Sequence, residues 1–435
     1  MKLLLVGGGG REHALAWRIR HEHPEATLIA APGNPGIATL ASCVMTSASD
    51  VTGLLALAMT DQVDAVIVGP EAPLAAGLAD ACYAHGIPVF GPTQAAAQLE
   101  TSKAFAKDVM REAGVPTARA SMHTSVDSAK RAVREFGAPV VVKASGLAAG
   151  KGVVVATTIA EAEEAITSML VGNVFGDAGA EVLVEEFMTG EELSLFVLTD
   201  GETAVPLPAA QDHKRVGEGD TGPNTGGMGA YCPADAGDAS FTWHDGTLPA
   251  GVQQVLDIIV TPTLRVMRER GIPFRGLLYC GVMLTPTGPR VVEFNCRFGD
   301  PETQAVLPAL NDDARLVNVI LQIARGERID PVPVFAPAQS VVTTVVAAEG
   351  YPSAVRSGDA ITLPKVNSNE WLFHAGTKSQ QSALMTSGGR VVAATAVGVS
   401  LADAQARSTS LAARVKFNGA FFRRDIGWRA LHRGA

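Results

Sequence analysis

Four short apolar runs in the first ninety residues, Lys2–Val6, Thr27–Ala31, Ala65–Val68 and Val89–Phe90, each end in glycine or proline. Helix-length stretches such as Glu12–Arg20 and Leu74–His85 separate them. Uninterrupted apolar runs are strands buried on both faces, and strands alternating with helices must pair in parallel. The predicted unit is a doubly wound parallel sheet. Ligands of such sheets sit beyond the carboxyl ends of the strands. Those ends carry Gly7-Gly8-Gly9-Gly10-Arg11-Glu12, Pro32-Gly33-Asn34 and Gly69-Pro70-Glu71.

The pattern changes near Ser102. A helix over Lys103–Ala113 is closed by Gly114 and Pro116. An α+β region follows, with strands at Val140–Lys143, Val153–Ala156 and Val182–Glu186 and a helix over Ile159–Val171. Beyond the polar stretch Gln211–Tyr231 come a long helix over Val252–Arg270 and strands at Gly276–Leu284 and Arg290–Asn295. Pro331, Pro333 and Pro337 mark a linker. The remainder alternates short strands with a helix near Ala402–Val415. The expected division is 1–102, 103–328 (with a lid over about 120–190) and 329–435.

The chain has 35 Lys and Arg against 44 Asp and Glu, a net charge of −9. That argues against nucleic acid and membrane partners, so an anionic ligand needs a locally basic or amide-lined pocket. Cys43, Cys82, Cys232, Cys280 and Cys296 form no CxxC pair, which fits a reducing, cytoplasmic setting. No run of ~18 apolar residues predicts a membrane helix.

Gly7–Gly10 follows a strand and precedes a helix, as an anion site at a helix N-terminus would. A dinucleotide fingerprint fails, because its third glycine position holds Glu12 or His13. A packing turn and a phosphate site both remain open here. Between Lys143 and Gly152, Gly146 and Gly150 enclose three residues and Lys151 is followed by glycine. This is no Walker loop. It joins two strands and suits a glycine lid closing over phosphates.

Arg290–Glu302 is the richest chemical stretch. Strand alternation puts Glu293, Asn295 and, at the strand end, Arg297 on one face, with Val292, Phe294 and Cys296 on the other. A carboxylate and an amide oxygen two residues apart are hard ligands for Mg²⁺. Arg297 is placed to clamp a carboxylate or phosphoryl group. The run from Asp212 to Gly229 reads as a long structureless substrate loop, and Asp300 and Glu302 as holders of a turn.

Together these stretches resemble the glycinamide ribonucleotide synthetase family of the ATP-grasp superfamily. The matching motifs are Gly-Gly-Arg-Glu-His-Ala-Leu-Ala-Trp, Val-Gly-Pro-Glu-Ala-Pro-Leu, Gly-Leu-Ala-Ala-Gly-Lys-Gly-Val, Gln-Asp-His-Lys-Arg-Val-Gly-Glu-Gly-Asp-Thr-Gly-Pro-Asn-Thr-Gly-Gly-Met-Gly, Glu-Phe-Asn-Cys-Arg-Phe-Gly-Asp-Pro-Glu-Thr-Gln and Phe-His-Ala-Gly-Thr-Lys. Asp-Ile-Gly-Trp-Arg-Ala carries the match nearly to the C-terminus. The resemblance implies an α/β multidomain fold: an N-terminal doubly wound sheet, an ATP-grasp lid and core, and a small C-terminal α+β unit. It implies ligation of glycine to 5-phosphoribosylamine with ATP and Mg²⁺, or Mn²⁺ in its place, through a glycyl phosphate, by a monomer or weak homodimer.

Carried over by position, Glu293 and Asn295 match the metal ligands. Lys103, Lys143 and the lid residues Gly146, Gly150, Lys151 and Gly152 match phosphate contacts. Glu185, Glu186 and Phe187 match the adenine strand, and Glu192 the ribose acceptor. Gly9, Gly10, Arg11, Glu12, Asn34, Pro70 and Glu71 fall where the amine substrate is held. Asp212, Lys214 and Arg297 are the catalytic candidates around glycine and the acyl phosphate.

Three departures stand out. Gly8 replaces a usual Asn, Ser145 replaces a usual Asp, and the strand Tyr279–Leu284 lacks an acidic residue that could serve a second metal. An ATP-grasp ligase for another carboxylate and amine is the alternative. A non-catalytic nucleotide-binding protein is a further one, against which the retained Lys143, Glu293, Asn295 and Arg297 count.

Overall fold

The N-terminal apolar runs pair in parallel in the order Ser42–Cys43, Thr27–Pro32, Lys2–Gly7, Ala65–Val68, Val89–Phe90. Leu3, Leu4, Leu5, Val6 and Ile67 are fully buried, as strands covered on both faces require. The computed structural model describes residues 1–146, 152–172, 181–330 and 332–433. Gly150, Lys151 and Pro331 lie outside these residues.

A four-stranded antiparallel sheet follows, ordered Ala120–His123, Val182–Glu186, Val140–Ala144, Val153–Ala156. Helices Val126–Phe136 and Ile159–Leu170 pack on it and give it a core of its own, with Val133, Val140, Val142, Ile166 and Val184. A second antiparallel sheet is ordered Ala204–Pro206, Glu191–Thr199, Gly276–Thr285, Gly288–Asn295. A third takes Ser340–Ala347, Arg390–Gly398 and Glu370–His374 from the C-terminal part of the chain. It is completed by Gln211–Asp212 and Gly229–Cys232 from the middle.

Several sequence expectations change in detail. Gly77 adopts a left-handed φ of 86° and splits the 74–85 helix into Glu71–Ala75 and Leu78–Ala84. The long helix begins at Ala250 and contains a π turn over Leu256–Val260, just before Pro262, where a missing N–H breaks the regular ladder. The 211–231 stretch is not structureless. Its ends are sheet strands, and between them Arg215–Gly217 pairs with Thr221–Asn224 as a two-stranded ribbon.

The metal-strand alternation also shifts. Glu293 pairs with Gly281 but Val291 pairs with Val282, so Val292 is an extra, bulged residue. Val291 and not Val292 enters the core, with Phe294 and Cys296. Among the described residues, no helix is long and apolar enough to cross a membrane.

Candidate active site

A cleft of about 830 Å³ lies between the two antiparallel sheets and the carboxyl ends of the N-terminal strands. Arg11, Pro70 and Glu71 reach it from those strand ends. Lys103 and Lys143, Gly146 and Gly152, Glu185 to Phe187 and Glu192 line the opposite side. Asp212, Lys214, Glu293, Asn295 and Arg297 complete it. Residues drawn from across the chain thus meet in one cleft.

Gly9, Gly10, Glu12 and Asn34 are not among its walls; their contacts build the loops behind it. Glu12 is buried and accepts from the Gly9 N–H at 2.6 Å and Arg11 Nε at 2.5 Å. A Cβ on Gly69 would lie 2.2 Å from Glu12 Oε1, so only glycine lets the loops close on this carboxylate. Asn34 accepts from the Gly36 and Ile37 N–H groups at 2.9 Å and donates to the Gly8 and His374 carbonyls. A Cβ on Gly8 would meet the Gly33 carbonyl oxygen at 2.4 Å. A larger residue at position 8 requires these two loops to part. Ser145, the second departure, follows its strand directly, its N–H donating to the Glu181 carbonyl and its carbonyl accepting from the Lys103 N–H.

Glu293 and Asn295 face the cleft from the last strand. Among the described residues neither side chain has a hydrogen-bond or ion-pair partner. Burial would raise the Glu293 carboxyl, but Lys214, Lys143, Lys103 and Arg297 hold it below the usual range. An ionised carboxylate and a free amide oxygen, side by side and unsatisfied, fit a hard divalent cation that takes its remaining ligands from substrate and water. No group of three or more His, Cys, Asp or Glu placed to hold a metal occurs among the described residues. Tyr279, opposite Asn295, bonds Ser194 Oγ at 2.9 Å instead.

Lys103 donates to the Gly146 carbonyl at 3.3 Å, and carboxylates hold other cations of the cleft. Arg297 pairs with Glu71 at 3.2 Å and Glu100 at 2.9 Å. Lys214 pairs with Glu192 at 2.5 Å. Buried Glu185 sits between Lys143 at 2.5 Å and Lys107 at 2.7 Å, which keep it ionised against its burial. Burial pushes the Asp212 carboxyl up, with Lys214 opposing.

Sequence reasoning missed Lys107, Glu100, Glu302 and Arg390 as cleft residues. Lys107 had a signal, lying one helical turn from Lys103. Glu302 is buried and accepts from Ser194 Oγ at 3.3 Å, so it does more than hold a turn.

Family models for phosphoribosylglycinamide synthetase match residues 1–100 (N domain), 101–303 (ATP-grasp domain) and 341–429 (C domain). The chain belongs to the phosphoribosylglycinamide synthetase family. The phosphoribosylamine–glycine ligase of Vibrio vulnificus is 47% identical over 438 residues, spanning 100% of this chain and 99% of the relative. That of Brucella melitensis is 48% identical over 436 residues with the same coverage. The crystal structure of the Thermotoga maritima phosphoribosylamine–glycine ligase superposes with a TM-score of 0.83 at 30% identity, over 98% of this chain and 100% of that one. The biotin carboxylase domain of Hydrogenobacter thermophilus 2-oxoglutarate carboxylase reaches 0.71 at 18% identity, over 97% and 91%, which shows the shared fold. Membership of an ATP-grasp family implies the use of ATP and a divalent metal.

In this family setting Glu185 has a testable task. Its carboxylate orders Lys143, whose Nζ also donates to the Val292 carbonyl at 3.3 Å, beside Glu293. Glu185→Gln removes the paired carboxylate from buried Lys143 and half-buried Lys107. The expected cost is about 3 kcal/mol or more of stability, read as a lower urea midpoint, together with a raised KM for ATP. An unchanged midpoint and KM would show that Lys143 is held without Glu185.

Proposed function

We propose that this chain joins glycine to 5-phosphoribosylamine at the expense of ATP, giving glycinamide ribonucleotide, ADP and phosphate. The observation that carries this reading is the unpaired Glu293–Asn295 pair facing the same cleft as Lys103, Lys143, Lys214 and Arg297. Such a cleft neutralises and positions phosphates.

A glycine carboxylate oxygen attacks the γ-phosphorus and ADP leaves. The nitrogen of phosphoribosylamine then attacks the glycyl carbon, the C–O bond breaks, phosphate departs and the nitrogen gives up a proton. Lys103 and Lys143 hold the triphosphate, with Gly146 and Gly152 beside it. The 185–187 segment takes the adenine edge, with Glu192 at the ribose. Lys214 and Arg297 offset the charge on the acyl phosphate, and Asp212 faces the glycine ammonium. Glu293 and Asn295 would hold Mg²⁺, or Mn²⁺ in its place. The metal neutralises phosphate charge when bound. Arg11 and Glu71 face the amine substrate, whose loops Glu12 and Asn34 shape. The five free cysteines, four of them buried, support a reducing, cytoplasmic setting.

Purified protein with Mg²⁺, ATP and glycine is expected to release phosphate only when phosphoribosylamine is supplied. Equal release without the amine, or with other amino acids, would overturn the assignment in favour of another carboxylate–amine pair.

A further inference from the structure

The ribbon of residues 215–224 follows Asp212 and Lys214 and reaches the cleft through Arg215, Asp220 and Asn224. Neither of its strands has a buried residue. A two-stranded hairpin without a core is marginal in water, so something outside it must hold it.

That support comes from the C-terminal end of the chain. Arg423, only 1% exposed, donates from Nη1 to Asp220 Oδ1 at 2.9 Å and to the Arg215 carbonyl at 3.0 Å. Its other nitrogens fork onto both oxygens of Asp425 at 2.8 Å. Asp425 in turn accepts from the Gly219 N–H at 2.8 Å, at the ribbon's tip. Arg429, itself a cleft residue, pairs with the second oxygen of Asp220. Arg424 binds Glu218 through Nε at 2.7 Å and Nη2 at 3.1 Å. At the ribbon's root, the Gly427 N–H donates to His213 Nε2 at 3.1 Å, between Asp212 and Lys214.

We infer that Arg423 is a positioning residue for the ligase reaction: through Asp220 and the Arg215 carbonyl it fixes the 215–224 ribbon, and with it Lys214 and Asp212, over the side of the cleft where glycine and the amine react. This rests on the function proposed above. The planar guanidinium suits the task because four of its contacts, to two carboxylates and a carbonyl, are directional and charge-assisted. The nucleotide side of the cleft, at Lys103, Lys143 and Glu185, has no contact with Arg423.

The test uses the full chain with Arg423→Ala and, from the ribbon's side, Asp220→Asn, which decides the matter if the first variant does not fold. KM is measured for each of the three substrates, and amide hydrogen exchange is followed over residues 215–224. The expected result is a rise of at least about tenfold in KM for glycine and phosphoribosylamine, with a several-fold smaller rise in KM for ATP, which Lys214 reaches only through its pair with Glu192. Ribbon exchange should be faster, and Arg423→Lys should rescue in part. An equal change in all three KM values, or unchanged kinetics and exchange in both variants, overturns the proposal. If the wild-type chain makes no glycinamide ribonucleotide, the assigned reaction falls, and the exchange data still decide whether Arg423 anchors the ribbon.

Discussion

Glu293→Gln is expected to lower kcat by about a thousandfold or more while the protein stays folded. The substitution keeps shape and one acceptor oxygen but removes the charge. Four cations, Lys214, Lys143, Lys103 and Arg297, keep this carboxylate ionised. It therefore supplies both a hard anionic ligand and a counter-charge that keeps those cations from repelling one another. Loss of Lewis-acid stabilisation of a transferring phosphoryl group is worth several kcal/mol, and ~4 kcal/mol is a thousandfold. Glu293 lies on the cleft wall and not in the apolar core, so its loss opens no cavity. The measurements are phosphate release at saturating substrates, the dependence of rate on Mg²⁺ concentration, and the unfolding midpoint. Activity near the wild-type level would remove Glu293 from the metal site. A collapsed midpoint would make it a structural residue.

What could be read from the sequence was what is local. The apolar runs ending in glycine or proline give the parallel sheet because strand burial is a property of a few consecutive residues. Glu293 and Asn295 are legible because alternation along one strand needs no knowledge of the rest of the chain. The bulge at Val292 is not legible. Two valines in a row carry no mark, and the phase is set by pairing with Gly281 and Val282 on the neighbouring strand. Lys107 was within reach through its spacing from Lys103, but its partner Glu185 lies on a distant strand. Arg390 and Arg423 offered no signal. Arg390 stands alone and Arg423 in an Arg-Arg-Asp run, and neither marks a cleft in the sequence, because their work on Asp300 and Asp220 exists only once the chain has folded back on itself. Asn34 shows the reverse limit. Its place at a strand end is right, yet its side chain is bound to its own loop and to the His374 carbonyl.

The same loop closures make the protein acid-labile well above the carboxylate range. His13, His213 and His374 are buried neutral, with pKa values lowered by burial to about 3, about 3 and about 4. His13 also feels His374, and its Nδ1 accepts from the His374 N–H at 2.8 Å. His213 faces Arg423 and Arg429, which disfavour its charge more than Asp220 and Asp425 favour it, and its Nε2 accepts from the Gly427 N–H. Protonation turns each acceptor nitrogen into a donor aimed at another donor. The unfolded chain, with histidines near 6.5, binds protons that the folded chain refuses. Their contribution to stability is complete above pH 6.5 and is lost as pH falls from there toward the folded values. At pH 5 each histidine has forfeited about 2 kcal/mol, and the three together about 4 to 6 kcal/mol once coupling between His13 and His374 is allowed for. That is a large share of a typical folding free energy. Urea midpoints at pH 7.5 and pH 5.0 should differ accordingly. His13→Asn and His213→Gln, which keep an acceptor at the same ring position without a titrating proton, should flatten that difference. A midpoint that does not move between the two pH values, or one that moves equally in the variants, would assign the acid response to other groups.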